Sequence, residues 1–327
     1  MYQYQDINAV HLEVTSKCQA KCPMCPRRFN GGPLNPFVEL TEVTLYQFKS
    51  WFEPNFIKQL VHLSMCGNLG DPILATSTLE IFRYLRSLNP SMRLVMHTNG
   101  SAKNKTWWQE LAKEDVKVVF GIDGLEDTHH LYRIDTNFSK IIENATAFIN
   151  NGGSARWDML VFSHNKHQVE ECRALSQTLG FESFTVKHTS RFRNDKLNVL
   201  DDQGKTRYIL YPTDKSKELT CKTETAQKDE LPIIQCKAKK DKQIYVSATG
   251  NVMPCCWLDL SWVQCNHESR IDYMNKIQKF PNLNDTSLKE VFSSGYFNTI
   301  EQTWSTTGLK ECSKQCGSFD KLNGQFV

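Results

Sequence analysis

No apolar run in the 327-residue chain approaches the roughly 20 residues that a membrane-spanning helix requires. The first residues, "MYQYQDINAVHLEVT", lack the basic-then-apolar layout of a secretory signal, and no separate leader-binding domain is evident ahead of the first strand. Neither charge dominates. The 39 basic and 36 acidic residues leave a net +3, too little to make a nucleic acid the expected partner on charge alone. Together these absences point to a cytoplasmic protein with no membrane association. In that reducing compartment, twelve cysteines are better explained by metal than by disulfides.

The cysteines are unevenly spread. Cys18, Cys22 and Cys25 stand in "EVTSKCQAKCPMCPRR", whereas Cys221, Cys236, Cys255, Cys256, Cys265, Cys312 and Cys316 crowd the last third. Only Cys66 and Cys172 fall between, and both read as core residues. The front three would share one helical face, but Pro23 and Pro26 exclude a helix interior and push Cys22 and Cys25 toward extended backbone. The segment is therefore a loop that presents its thiols together. A closed zinc site needs a fourth ligand and none lies nearby. A four-iron cubane accounts for the count better, since three thiolates leave one iron open for chemistry.

Between the clusters, short β-rich runs alternate with helical patterns. Strands are expected at 9–15, 59–66, 93–99, 116–123, 156–163 and 183–189. The helical stretches between them carry amphipathic spacing, as in Leu79, Phe82, Leu85 and Leu88. Repeated βα units imply a parallel sheet with right-handed crossovers. The expected fold is α/β: a partial (β/α)6 TIM-like barrel over residues 1–210, with a smaller cysteine-rich C-terminal domain over 211–327. Residues 190–235 read as a polar connector. In such barrels active groups gather at the carboxyl ends of the strands. That is where the three-cysteine loop, "CGNLGDP", "HTNG" and "GIDG" fall.

With C-x3-C-x2-C after a first strand, the chain resembles the radical S-adenosylmethionine (SAM) superfamily. The resemblance implies a [4Fe–4S] cluster on Cys18, Cys22 and Cys25 whose open iron chelates SAM, and whose electron splits the sulfonium bond to give a 5′-deoxyadenosyl radical. Gly67-Asn68-Leu69-Gly70-Asp71-Pro72 resembles the family's glycine-rich motif. Gly67 and Gly70 would then let backbone approach SAM, and Asp71 would accept from its ammonium group. Asn99, in Thr98-Asn99-Gly100, resembles the ending of strand three. "GIDG" with Asp123, followed by Arg133, resembles a stretch whose arginine contacts the SAM carboxylate, although Gly121 stands where serine is common. Ser163 and Asn165 match a strand-five ending near the ribose.

Further on, Cys236 and Cys255 flank Gly250 as C-x13-G-x4-C, and Cys312 and Cys316 close the pattern as C-x3-C. This resembles the SPASM and twitch domains of radical SAM enzymes and implies one auxiliary [4Fe–4S] cluster on those four cysteines. Cys221, Cys256 and Cys265 are further candidates, and a zinc knuckle is the plain alternative. "QIYVSA" and "NVMP" read as a hairpin around Gly250. Cys256 occupies a position where relatives often carry a proton-accepting aspartate, which suggests a hydrogen-atom donor or a buried thiol.

The expected activity is SAM cleavage followed by hydrogen abstraction, to oxidise, cross-link or epimerise a peptide or peptide-like substrate. Alternatives are dehydrogenation of a small alcohol or sugar, nucleotide or RNA modification, and, outside catalysis, an electron-transfer iron–sulfur protein. An electron donor such as flavodoxin or ferredoxin is an expected partner.

Overall fold

Strand runs whose outward positions are apolar and whose inward positions are polar build a sheet with helices on one side and a polar lumen on the other. The computed structural model describes residues 1–192, 194–224, 233–264, 274–277, 280–306 and 308–318. The first six strands are β1 (Ala9–Leu12), β2 (His62–Met65), β3 (Arg93–Thr98), β4 (Val116–Gly121), β5 (Ala155–Leu160) and β6 (Ser183–Lys187). They pair in sequence order, all parallel, so the partial (β/α)6 barrel forms as expected. Leu12, Met65, Met96, Phe120 and Trp157 point outward into a core that includes Trp108 and Phe148, all fully buried. The alternate residues His11, Ser64, His97, Asp158 and Lys187 line the inner face.

Local chemistry sets the helix starts. Helices α1 (Leu45–Trp51) and α2 (Pro54–Gln59) join β1 to β2, and α3 (Thr78–Leu88) follows β2. Thr44 accepts from the Gln47 amide while the Gln47 side chain accepts from Thr44 N, a reciprocal cap at the start of α1. Helices α4 (Lys105–Ala112), α5 (Glu126–His129), α6 (Phe138–Ile149) and α7 (Val169–Thr178) complete the barrel units. The side chains of Asn104 and Asn137 cap α4 and α6.

Residues 190–235 are more than a connector. Strands β7 (Leu197–Leu200) and β8 (Thr206–Leu210) form an antiparallel hairpin, followed by α8 (Asp214–Glu224). The turn is held by Asp201 Oδ1, which accepts from Gln203 N and Lys205 N, with Gly204 at φ +80°. The hairpin packs over the three-cysteine loop. Lys21 Nζ and Arg28 Nη1 meet the Asp202 carboxylate at 2.8 and 3.1 Å, and Val199 and Leu210 are buried beside Cys22, Tyr132 and Phe162.

The remaining described strands are β9 (Ile233–Ile234), β10 (Gln243–Val246), β11 (Val252–Met253) and β12 (Gly317–Ser318), with helices α9 (Lys237–Lys240) and α10 (Cys256–Gln264). The hairpin expected around Gly250 is β10–β11, and β10 pairs in parallel with β1. The C-terminal segment thus extends the barrel sheet to eight strands, β11-β10-β1-β2-β3-β4-β5-β6, with β6 at one end and β11, whose Val252 N donates to Pro281 O, at the other. Among the described residues no helix is long and apolar enough to cross a membrane.

Candidate functional site

The loop after β1 is a chain of turns. Cys25 N donates to Cys22 O and Arg28 N to Cys25 O, while Lys21 N is held by Ile134 O. Cys22 is buried, and Cys18 and Cys25 are half-buried. Asn99 Nδ2 lies 3.6 Å from Cys18 Sγ and Arg133 Nη1 lies 3.8 Å from Cys22 Sγ. Burial pushes the Cys22 thiol up to about 11 against the pull of Arg133, and drives Cys18 higher still. Two N–H donors aimed at sulfur suit thiolates, which accept hydrogen bonds far better than thiols. Among the described residues, no three His, Cys, Asp or Glu side chains converge tightly enough to hold one metal ion. A cubane is wider than an ion and keeps its thiolates further apart, and three soft thiols on one loop, two of them facing N–H donors, are the donor chemistry such a cluster takes.

The glycine-rich loop touches this segment through backbone. A Cβ on Gly70 would lie 1.8 Å from Thr15 O, and one on Gly67 would lie 1.5 Å from Gly70 O. Asp71 N donates to Lys17 O. The buried Asp71 carboxylate accepts from Ile73 N, Thr98 Oγ1 and Asn99 N, at 3.2, 2.8 and 2.7 Å. Asp71 therefore ties strand-three's ending to the cysteine loop and retains little capacity for an added ammonium group.

Asp123 and Arg133 form a pair. Arg133 Nε meets Asp123 Oδ2 at 2.6 Å, and Leu160 N donates to Asp123 Oδ1 at 2.6 Å. Asp123 is fully buried, so it orients the guanidinium toward Cys22 rather than reaching a cofactor itself. Gly121 makes room: a Cβ there would sit 2.5 Å from Arg133 Nη2. His129 lies at the end of α5 and is buried, and its Nδ1 accepts from Asp123 N at 3.1 Å. Burial and Arg133 push its imidazole down to about 3, which keeps that nitrogen's lone pair free to accept.

Asn165 departs from expectation. It is fully buried, its Oδ1 accepts from Phe162 N, and its Nδ2 donates to Asp123 O and Leu160 O. No polar atom is left for a ribose, so the side chain pins the backbone beneath Asp123. Asn165→Ala should cost about 2 kcal/mol by stranding the Phe162 N–H, measurable by denaturant unfolding, with SAM affinity little changed. Ser163 is half-buried and donates to Pro212 O at 2.7 Å.

In the second cluster, Cys236, Cys255, Cys312 and Cys316 line one cavity with Met1 and Trp304. Cys236 precedes α9, Cys255 precedes α10, and the other two belong to the helix Lys310–Cys316, whose end is joined to Ile233–Ile234 by the β9–β12 pair. Cys316 is drawn below its usual range by a hydrogen bond from Cys236, whose own thiol is pushed up. Four thiols on one cavity suit one closed cluster. Cys256 is half-buried at the start of α10, its backbone carbonyl accepting from Asn68 Nδ2. Cys172 is core as expected, whereas Cys66 is half-buried at the lumen. The side chain of Cys221 and the whole of Cys265 lie outside the described residues.

The lumen residues were not singled out from sequence. Asp158 is gripped by Arg156 Nε at 2.8 Å and Lys187 Nζ at 2.6 Å. Burial lowers His11 and takes His97 down to about 4, so both are neutral at ordinary pH. Part of the signal was available: His11, Ser64, His97, Asp158 and Lys187 alternate with apolar neighbours, although Val95, Val119 and Leu160 share their face.

Residues 236–317 match the SPASM family model, described as an iron–sulfur cluster-binding domain. No curated protein matches the chain in sequence. Among solved structures, Streptococcus suis SuiB bound to S-adenosylmethionine is 14% identical, with a TM-score of 0.60 over 90% of this chain and 67% of SuiB. SuiB bound to its precursor peptide SuiA gives 13% identity and a TM-score of 0.59, over 90% of this chain and 66% of SuiB. The chain thus spans about two thirds of the length of SuiB. The enzyme anSMEcpe with bound AdoMet is 18% identical, with a TM-score of 0.58 over 89% of this chain and 79% of that one. At these identities the likeness is one of fold.

Proposed function

We propose that this chain, which has the fold of radical SAM enzymes and carries a SPASM iron–sulfur domain, is itself a radical SAM enzyme acting on a peptide or peptide-like substrate. The observation that carries the reading is the three-thiol loop after β1. Cys18 and Cys22 face N–H donors from Asn99 and Arg133, and the base of the loop is in backbone contact with Gly70. When bound, a [4Fe–4S] cluster and SAM would supply sulfonium cleavage and a radical that removes a substrate hydrogen atom.

The chain's own residues do the positioning. Cys18, Cys22 and Cys25 would hold the first cluster, and Cys236, Cys255, Cys312 and Cys316 the second. Gly67 and Gly70 let the loop lie close to the cysteines, and Asp71 braces that loop against Asn99. Arg133, aimed by Asp123, places positive charge beside Cys22, where it favours the thiolate and can meet a carboxylate. The apolar shell of Tyr132, Phe162 and the β7–β8 hairpin excludes water from one side of the loop.

Two features support a peptide over a small alcohol. The sheet does not close on itself, β6 and β11 being its ends and not paired with each other, as an extended substrate would require. Phe29, Phe37 and Leu40, on the segment after the cysteine loop, are each about half exposed. SuiB has been solved with its precursor peptide, and anSMEcpe with the Cp18Cys peptide.

The test is anaerobic. After reconstitution with iron and sulfide the chain should bind about eight irons. After reduction it should convert SAM to 5′-deoxyadenosine. Deuterated peptides, and not deuterated polyols, should pass label into that product. Label arriving only from polyols would overturn the peptide reading, and no 5′-deoxyadenosine at all would overturn the enzyme.

A further inference from the structure

Two buried carboxylates meet at the junction of the barrel with the C-terminal segment. Glu13 follows β1, Asp259 lies on α10, and Tyr245 on β10 stands between them. The Tyr245 hydroxyl is 2.8 Å from Glu13 Oε2 and 2.9 Å from Asp259 Oδ2. All three side chains are at least nine-tenths buried. Among the described residues neither carboxylate has a Lys, Arg or His within ion-pair distance.

The hydrogens can be counted. A phenol has one hydrogen and can donate it to one carboxylate only. Were both carboxylates ionised, the other contact would press an anionic oxygen against the phenol oxygen with nothing between them. The Asn68 amide lies 3.4 Å from the Tyr245 oxygen and 3.0 Å from Cys256 O and also donates to the Asp259 carboxylate, but it puts no hydrogen between Tyr245 and either carboxylate. The arrangement is satisfied when one carboxyl is protonated and donates to Tyr245, which donates to the other.

This chain of bonds also connects two regions. Glu13 Oε1 accepts from Leu69 N at 2.6 Å and from Gly70 N at 3.4 Å, so its other oxygen holds the glycine-rich loop. Asp259 sits one helical turn after Cys255 and Cys256. We propose that Glu13, Tyr245 and Asp259 share one stored proton, and that this protonated link positions the glycine-rich loop against the helix carrying Cys256. They are positioning residues, and the claim stands apart from the reaction proposed above.

The surroundings agree with the geometry. Burial, with repulsion from Asp259, raises Glu13 to about 8, and burial raises Asp259 to about 6. The other groups facing the cluster add no positive charge. The Cys66 and Cys256 thiols are pushed up by burial, and the neutral His11 ring meets Tyr245 edge-on at 5.0 Å. The folded chain therefore holds a proton that the unfolded chain releases above about pH 4. The link contributes fully below that value and is lost as pH rises toward about 8.

The experiment uses the iron-loaded chain and two amide variants. Glu13→Gln keeps an acceptor for Leu69 N and offers a permanent donor to Tyr245, and Asp259→Asn does the same from the other side. Between pH 6 and 8 the unfolding constant of the unsubstituted protein should rise up to about tenfold more per pH unit than that of either variant, the slope of one proton. Infrared spectra of the unsubstituted protein near pH 6.5 should show a protonated-carboxyl band that shifts in D2O and disappears in Glu13→Gln or Asp259→Asn. Equal pH slopes, or no such band, would overturn the proposal. Absence of the band from the unsubstituted protein overturns the proposal even if neither variant folds, and neither arm depends on SAM cleavage.

Discussion

Replacing Cys18, Cys22 and Cys25 together by alanine is expected to abolish 5′-deoxyadenosine formation while leaving about four of about eight irons per chain. The three thiols stand on one loop, Cys18 facing Asn99 and Cys22 facing Arg133, with no fourth thiol from the C-terminal set in that loop. Cys236, Cys255, Cys312 and Cys316 surround a different cavity, reached from different elements, so a cluster there does not need the first loop. Iron analysis with electron paramagnetic resonance of the reduced variant checks the count, and chromatography checks the product. Activity in the triple variant would refute the assignment, as would zinc in place of iron at the front loop of the unsubstituted protein.

Gly70→Ala should be almost as damaging, by steric means. The new Cβ would lie 1.8 Å from Thr15 O, 2.5 Å from Thr15 C and 2.9 Å from Ser16 Cα. All three are backbone atoms, so no side-chain rotation relieves the overlap, and the loop or the base of the cysteine segment must move. Either movement breaks Asp71 N to Lys17 O and shifts the Asp71 carboxylate from Asn99. The expected cost exceeds about 2 kcal/mol in stability, with at least about a tenfold loss of SAM affinity. Gly152→Ala is the control. Its Cβ meets nothing within 4 Å, and only its φ of +86° is strained, which costs about 1 kcal/mol. Equilibrium dialysis and thermal melting separate the two. An alanine at 70 as mild as one at 152 would show that the close contact is dispensable.

The six barrel strands and most of their helices were legible in the chain because each obeys its own period. Leu79, Phe82 and Leu85 are buried along one face of α3, and outward strand positions such as Met96 and Phe120 are apolar. The C-terminal hairpin was legible through Thr249-Gly250. The β7–β8 hairpin was missed although "DDQG" marks its turn, because its flanks are short, and exposed Thr206 and Arg207 mask their alternation. The roles of Asn165 and Asp123 were misread for another reason. Asn165 bonds Asp123 O, and the Asp123 carboxylate takes Leu160 N, groups on another βα unit that no local pattern names.

Composition, period and spacing alone determined that this is a parallel βα chain with three thiols on a proline-broken loop and more thiols near its end. Those are local facts, set by backbone sterics and by which residues can face which side of an element. Only the folded chain decided that Arg133 is aimed at Cys22, that β10 lies against β1, and that Glu13 finds Asp259 through Tyr245. These contacts join residues 111 to 246 positions apart in sequence. Their energies depend on burial and on the distance between groups, and both exist only once the sheet has formed.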